Sequence, residues 1–347
     1  MQFIERSTCD YAEFIGGLQE NERNCKDIAE EKLQETTRIN EKGVLCMPMK
    51  KTLRQLFTEE KVVLAPEVYD CASTITCQDC GYKALVLSGA EVSMSLKGIP
   101  DLGLLSCDEM LMVTRNICAI SDLPLVVDGE NGYGPALTAA YHCKRFADAG
   151  AAGVIIVDSP ETRIGGVISK EAAVEKIAAC ADALKGTDCL LIARTDAMDL
   201  DEAIDRCVAY REAGADMTLV FCFNFIPPKE RLEACKKINA KDPGWKWYPD
   251  LGVHDGKSDV TLSEIAAYGF NFVGIHYLLG SAMTAMTDAG MGNIKNQDNV
   301  YAMTKYPRPG IGSEEQIERW YRYESRFVKD PELRNRWPYN YYKTQRH

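Results

Sequence analysis

The chain predicts an α/β fold, a (β/α)8 barrel of the TIM type with an N-terminal helical arm and additional C-terminal helices. Three observations lead there. Eight apolar runs of three to five residues recur between Val62 and Ile275, ten to sixteen residues with helical spacing separate most of them, and polar residues stand at the end of nearly every run. Eight β–α units of this length close into a barrel whose chemistry gathers at the carboxyl ends of the strands. A doubly wound open sheet is the alternative architecture, but it would concentrate polar strand ends near one switch point.

The runs are Val62–Ala65, Ala84–Leu87, Leu125–Val127, Val154–Val157, Leu190–Ala193, Met217–Phe221, Trp245–Tyr248 and Phe272–Ile275. Between them Thr138–Phe146, Ala172–Leu184 and Ala203–Ala213 carry alanine-rich helical faces, and Gly150, Gly214 and Gly269 stop helices ahead of the next strand. Residues 1–48 form a charged extension, helical from Asn21 to Glu41; residues 49–290 are the barrel, and 291–347 a C-terminal helical segment. In that segment Ser313-Glu314-Glu315-Gln316 starts a helix as a capping box. Its stripe of Ile317, Trp320, Tyr321, Phe327 and Val328, with the tail Trp337–Tyr342, is expected to pack on a neighbouring subunit.

The composition narrows the partners. Of 347 residues 46% are hydrophobic, enough for a large core, and the net charge of −11 repels nucleic acid and anionic membrane surfaces at long range. A small anionic substrate therefore needs a local cation. There is no run of about 18 apolar residues and no signal-peptide core, so a cytoplasmic protein is expected. The 14 cysteines scatter through apolar positions and read as reduced thiols. Cys77 and Cys80 have metal or redox spacing, but with no matching second pair they are expected on a helix ending at Gly81.

Chemistry is expected at the strand ends, taken in order. Ser88-Gly89-Ala90 offers a hydroxyl and backbone N–H groups for a carboxylate, or is a plain turn. Asp128 and Glu130, two residues apart, repel each other unless a hard divalent ion relieves them, the other reading being a solvated acidic loop. Asp158 ends the fourth strand. Arg194 either clamps a substrate carboxylate or bridges to a neighbouring acid. Asn224, Asp250, His254 and His276 follow the last three strands, the histidines as candidates for proton transfer.

A resemblance rests on six ordered segments: Leu87–Ala90, Gly98–Gly103 (GIPDLG), Asp128–Gly134 (DGENGYG), Ala149–Gly153, Ala193–Ala197 (ARTDA) and Tyr210–Asp216. In this order, over roughly residues 50–330, they resemble the isocitrate lyase and phosphoenolpyruvate mutase superfamily. The resemblance implies Mg²⁺ (or Mn²⁺), chemistry beside an enolate, and homodimers or homotetramers that exchange a C-terminal helix. It implies Asp128 as the direct metal ligand and Asp101 and Glu130 as holders of metal-bound water. Ser88, Gly89, Ala90 and Arg194 then bind the substrate carboxylate, joined on the sequence reading by Asn224.

The chain also departs from that pattern. Where carbon–carbon lyases of the superfamily carry a cysteine acid, it has Ser159-Pro160-Glu161-Thr162-Arg163-Ile164-Gly165-Gly166. The acidic pair at the fourth strand end reads Val157-Asp158, and the glutamate after the sixth falls near Phe221 and Cys222. Asp158 is therefore expected to support a shifted metal, and the general acid is open among Arg163, Cys222, His254 and Tyr133. The expected activity is a Mg²⁺-dependent lyase, cleaving a carbon–carbon bond or decarboxylating a small 2-oxo or 2-hydroxy acid. A phosphonopyruvate-type enzyme and a non-catalytic metabolite-binding barrel are the alternatives.

Overall fold

In the computed structural model, which describes residues 51–160, 166–254, 256–276 and 278–306 with Phe327 and Glu332, eight parallel strands close into a barrel. They are β1 (Val63–Val68), β2 (Leu85–Leu87), β3 (Leu125–Asp128), β4 (Gly153–Val157), β5 (Leu190–Thr195), β6 (Met217–Val220), β7 (Lys246–Tyr248) and β8 (Phe270–Ile275). Each lies on one of the expected runs, and β1 closes the ring by pairing with both β2 and β8.

The helices follow in order: α1 (Leu53–Glu59), α2 (Cys71–Asp79), α3 (Gly89–Lys97), α4 (Cys107–Ile120), α5 (Ala136–Asp148), α6 (Lys170–Ala183), α7 (Leu200–Glu212), α8 (Pro228–Lys241), α9 (Leu262–Ala266), α10 (Leu278–Asn296) and α11 (Val300–Lys305). The Thr52/Gln55 capping box starts α1, and its Leu53, Leu56 and Phe57 join the lumen core. Phe57 meets Trp245 and Phe272 edge-on, with ring centroids 5.0 and 6.1 Å away, contacts worth about 0.5–1.5 kcal/mol beyond area burial. Cys77 lies on α2 and Cys80 caps it; burial pushes the Cys77 thiol up to about 11, as fits a packing residue.

Strand parity decides what faces the lumen, because successive side chains point to opposite sides. Val63 and Ala65, Val86, Val126, Ile155 and Val157, Ile192, Leu219, Trp247 and Phe272 share one core, drawn from all eight strands. Val68, Leu87, Val127, Val154, Ile156 and Leu191 face outward onto the helices. Continuing the inward parity to the carboxyl ends brings Glu67, Asp128 and Arg194 to the barrel mouth. A small antiparallel hairpin, Val253–His254 with Lys257–Ser258, follows β7. It was not expected, since two-residue polar strands leave no periodicity to read.

The chain divides into two compact units after Leu279, ahead of the expected boundary at residue 290. The second unit contains most of α10 and all of α11. No residue of α10 or α11 is buried, and Met286, Met291, Ile294 and Met303 are largely exposed. The arm 1–48, the helix expected from Ser313 and the tail Trp337–Tyr342 lie outside the described residues. Among the described residues no helix is long and apolar enough to cross a membrane.

Candidate active site

β3 delivers Asp128, and the chain then turns sharply: Glu130 adopts φ +56°, a region that costs a branched or bulky residue energy. Four contacts hold it. The Glu130 N–H donates to Asp128 Oδ1 at 2.9 Å, the Val157 N–H donates to Glu130 O at 2.8 Å, Asn131 Nδ2 donates to Pro160 O at 3.1 Å, and the Tyr133 N–H donates to Asn131 Oδ1 at 2.9 Å. The Glu130 side chain ends 5% exposed.

Its carboxylate meets the start of α3. A Cβ built on Gly89 falls inside hard contact with Glu130 Oε1 and 3.2 Å from Asp128 Oδ2, so both acids surround one point at the helix N-terminus. Gly89→Ala is therefore expected to push Glu130 aside and weaken divalent-cation binding by about tenfold, roughly 1.4 kcal/mol, as read by calorimetry; unchanged affinity would remove Glu130 from the site. Ser88 caps α3, accepting from the Glu91 N–H at 3.5 Å, while its own N–H goes to Val68 O at 3.3 Å. The Gly89 and Ala90 amides stand in the first turn of α3, at the positive end of the helix dipole.

Asp101 lies in the loop between α3 and α4. Burial foremost, with the charges of Asp128, Cys107 and Asp101, raises the Tyr133 phenol well above its usual range. Tyr133 packs on the outer core layer and meets the His142 ring edge-on at 5.5 Å.

Arg194, next to last in β5, faces the mouth. Its Nε and Nη2 donate to Asp196 at 2.7 and 3.2 Å, and the guanidinium lies 4.0 Å over the Phe221 ring. Of the two sequence readings the structure shows the bridge to an acid, and that bridge with the aromatic face fixes the plane of the guanidinium.

The structure separates Asp158 from this group. Its Oδ1 accepts from the Asp196 N–H at 2.9 Å, and its Oδ2 accepts from Thr195 Oγ1 at 2.7 Å, Tyr210 OH at 2.6 Å and Arg206 Nη1 at 3.4 Å. The Asp158 side chain is 2% exposed and that of Arg206 7%. These contacts use its oxygens inside the wall, so the geometry turns the expected metal-supporting acid into a buried ion-pair centre. Asn224 sits in a 3-10 turn, Phe221–Phe225, its carbonyl held by Arg231 at 3.2 Å. Arg163 lies outside the described residues, and of His254 only the backbone is described. Burial pushes the Cys222 thiol up to about 11.

Two features escaped the sequence reading. Lys176 is 6% exposed and donates to Asn131 O at 2.7 Å, pinning the acidic loop from below. Its signal was present: with Ala173, Ile177 and Cys180 it occupies the buried stripe of α6, where a lysine needs a partner. The second is Glu67, whose Oε1 lies 2.8 Å from His276 Nδ1 across the β1–β8 seam. His276 Nε2 meets Pro249 O at 3.0 Å. Despite the lowering effect of burial, Glu67, Asp250 and the Pro249 carbonyl raise the imidazole to about 9.

A divalent metal can be tested against these residues. Among the described residues no three His, Cys, Asp or Glu side chains cluster tightly enough to form a protein-only cage. Mg²⁺ does not need one; one or two carboxylates and several waters suffice. Asp128 Oδ2 and Glu130 Oε1, both near the Gly89 point, fit that donor set.

The family model described as phosphoenolpyruvate phosphomutase matches residues 53–294. The petal death protein of Dianthus caryophyllus is 31% identical over 294 residues, 80% of this chain and 89% of its own. The 2,3-dimethylmalate lyase of Eubacterium barkeri is 32% identical over 230 residues, 63% of this chain and 76% of its own. A crystal structure of phosphoenolpyruvate phosphomutase from Streptomyces platensis subsp. rosaceus superposes with a TM-score of 0.70 at 25% identity, covering 80% of this chain and 98% of that one. With the barrel and its ordered strand-end motifs, these matches show that the chain belongs to the phosphoenolpyruvate phosphomutase family and is an enzyme, a lyase of the isocitrate lyase and phosphoenolpyruvate mutase superfamily.

Proposed function

We propose that this chain is a Mg²⁺- or Mn²⁺-dependent lyase that cleaves a carbon–carbon bond of, or decarboxylates, a small 2-oxo or 2-hydroxy acid through an enolate. The observation that carries the reading is the meeting of Asp128, Glu130 and the Gly89 amide at the start of α3. Asp128 and Glu130 would hold the metal, with Asp101 for its waters; when bound, the metal supplies charge to stabilise an enolate oxygen. The Gly89 and Ala90 amides orient the substrate carboxylate, and Arg194, its plane set by Asp196 and Phe221, supplies the facing positive charge.

Apolar Val157 and Phe221 stand where further acids were expected, which favours a less charged or bulkier substrate end. The exposed apolar residues of α10 and α11 fit burial against a second copy in a homodimer or homotetramer, and the site chemistry suits a cytoplasmic enzyme. Purified protein with Mg²⁺ and a panel of 2-oxo and 2-hydroxy dicarboxylates is expected to release a 2-oxo acid or CO₂, with oxalate competing. Turnover that survives a chelator would overturn the reading.

A further inference from the structure

We propose that His276, seated on Glu67 at the β1–β8 side of the barrel mouth, is the proton donor to the enolate carbon. This deepens the enolate reading above and rests on it. Four observations place the group. Glu67 follows the inward parity of Val63 and Ala65, so the ion pair stands at the lumen mouth. Strand order links it to the acid pair: β1 pairs with β8 on one side and with β2 on the other, and Gly89, just past the end of β2, faces Asp128 and Glu130. In the imidazolium Nε2–H donates to the Pro249 carbonyl at 3.0 Å, an acceptor too weakly basic to take the proton from the ring. Gly274 keeps that place clear, since a Cβ there would lie 2.7 Å from Pro249 O and 3.4 Å from Nε2.

The surroundings favour donation over anion capture. Glu67 from β1, Glu91 from α3 and Asp250 from the segment after β7 face the single imidazole. Three acids around one cation disfavour a second substrate carboxylate, yet they hold a proton ready for a carbanionic centre. Burial, then Glu67, pushes the Glu91 carboxyl up to about 7, so it too is partly protonated at neutrality. Of the other candidates that the structure describes, burial pushes the Cys222 thiol up to about 11, and the Tyr133 phenol is higher than usual and packed on the outer layer.

In the step, the Nε2–H bond breaks and its electron pair stays on nitrogen. The enolate's carbon–carbon π pair forms the new C–H bond, the oxygen pair restores the carbonyl, and the imidazolium becomes neutral imidazole. The side chain is 32% exposed, so solvent returns the proton.

The test uses the full chain with Mg²⁺, pyruvate in D₂O followed by proton NMR, and oxalate binding by calorimetry. Wild type is expected to bind oxalate and exchange the pyruvate methyl protons. His276→Gln is expected to lose about 10²-fold or more of that exchange while oxalate affinity holds within about twofold. Glu67→Gln removes the neighbouring charge and is expected to move the acid limb of exchange to lower pH, because abstraction of the pyruvate proton needs the neutral imidazole, which forms at lower pH once the imidazolium loses its partner. Exchange by His276→Gln at the wild-type rate overturns the proposal, as does an unmoved limb in Glu67→Gln. Oxalate binding by a wild type that exchanges nothing overturns the proposal and spares the enolate reading; absence of oxalate binding overturns both.

Discussion

Asp128→Ala is expected to lower kcat/KM of the metal-dependent reaction by about 10³-fold, some 4 kcal/mol of transition-state stabilisation. The carboxylate does two jobs. One oxygen accepts from the Glu130 N–H at 2.9 Å and holds the turn, and the other faces the Gly89 point beside Glu130. Alanine removes the oxygen proposed to hold the metal and releases the residue carrying its neighbour, so the losses compound. Asp128→Asn separates the two, since its amide oxygen can still accept from Glu130 while the charge is gone. Calorimetry should show metal affinity lost in both variants, with the melting temperature closer to wild type in the asparagine protein. Full turnover by Asp128→Ala on an active substrate would sink the assignment.

Asp158→Ala is expected to act on stability instead, by about 3–5 kcal/mol, because it strands a buried guanidinium. Arg206 would keep the Ile168 carbonyl at 3.0 Å and Glu202 at 2.9 Å but lose its interior counter-charge, and Tyr210 and Thr195 would lose their common acceptor. Tyr210→Phe, which deletes one neutral donor, should cost about 0.5–1.5 kcal/mol. Urea unfolding measures both. If Asp158→Ala melts like wild type and loses metal affinity, the sequence reading of this acid as metal support stands and the buried-network reading falls.

Much of this molecule was legible beforehand. All eight strands were readable because a parallel strand covered on both faces must be apolar throughout, and runs such as Val154–Val157 and Leu190–Ala193 admit little else. That the acid pair at 128 and 130 and the arginine at 194 reach the barrel mouth was legible, because each is a polar residue at or just past the carboxyl end of a buried strand. Asp158 looked the same from outside. Its fate depended on Arg206 and Tyr210, some 50 residues away along the chain, and no local pattern carries a pairing at that separation. Lys176 could have been found, since a lysine in the stripe Ala173–Ile177–Cys180 breaks the apolar face of its helix.

The sequence by itself determined the barrel, the polar strand ends at its mouth and the family. Each follows from strand period, glycine stops and the order of motifs, which are local properties. Tertiary structure alone decided which acids share a point, that Gly89 leaves room for the Glu130 carboxylate, that Arg194 lies against Phe221, and that Glu67 reaches His276 between the first and last strands. Closure is the physical reason: bringing β1 beside β8 makes neighbours of residues at opposite ends of the barrel sequence, and their charges are then set by a contact that neither stretch encodes alone.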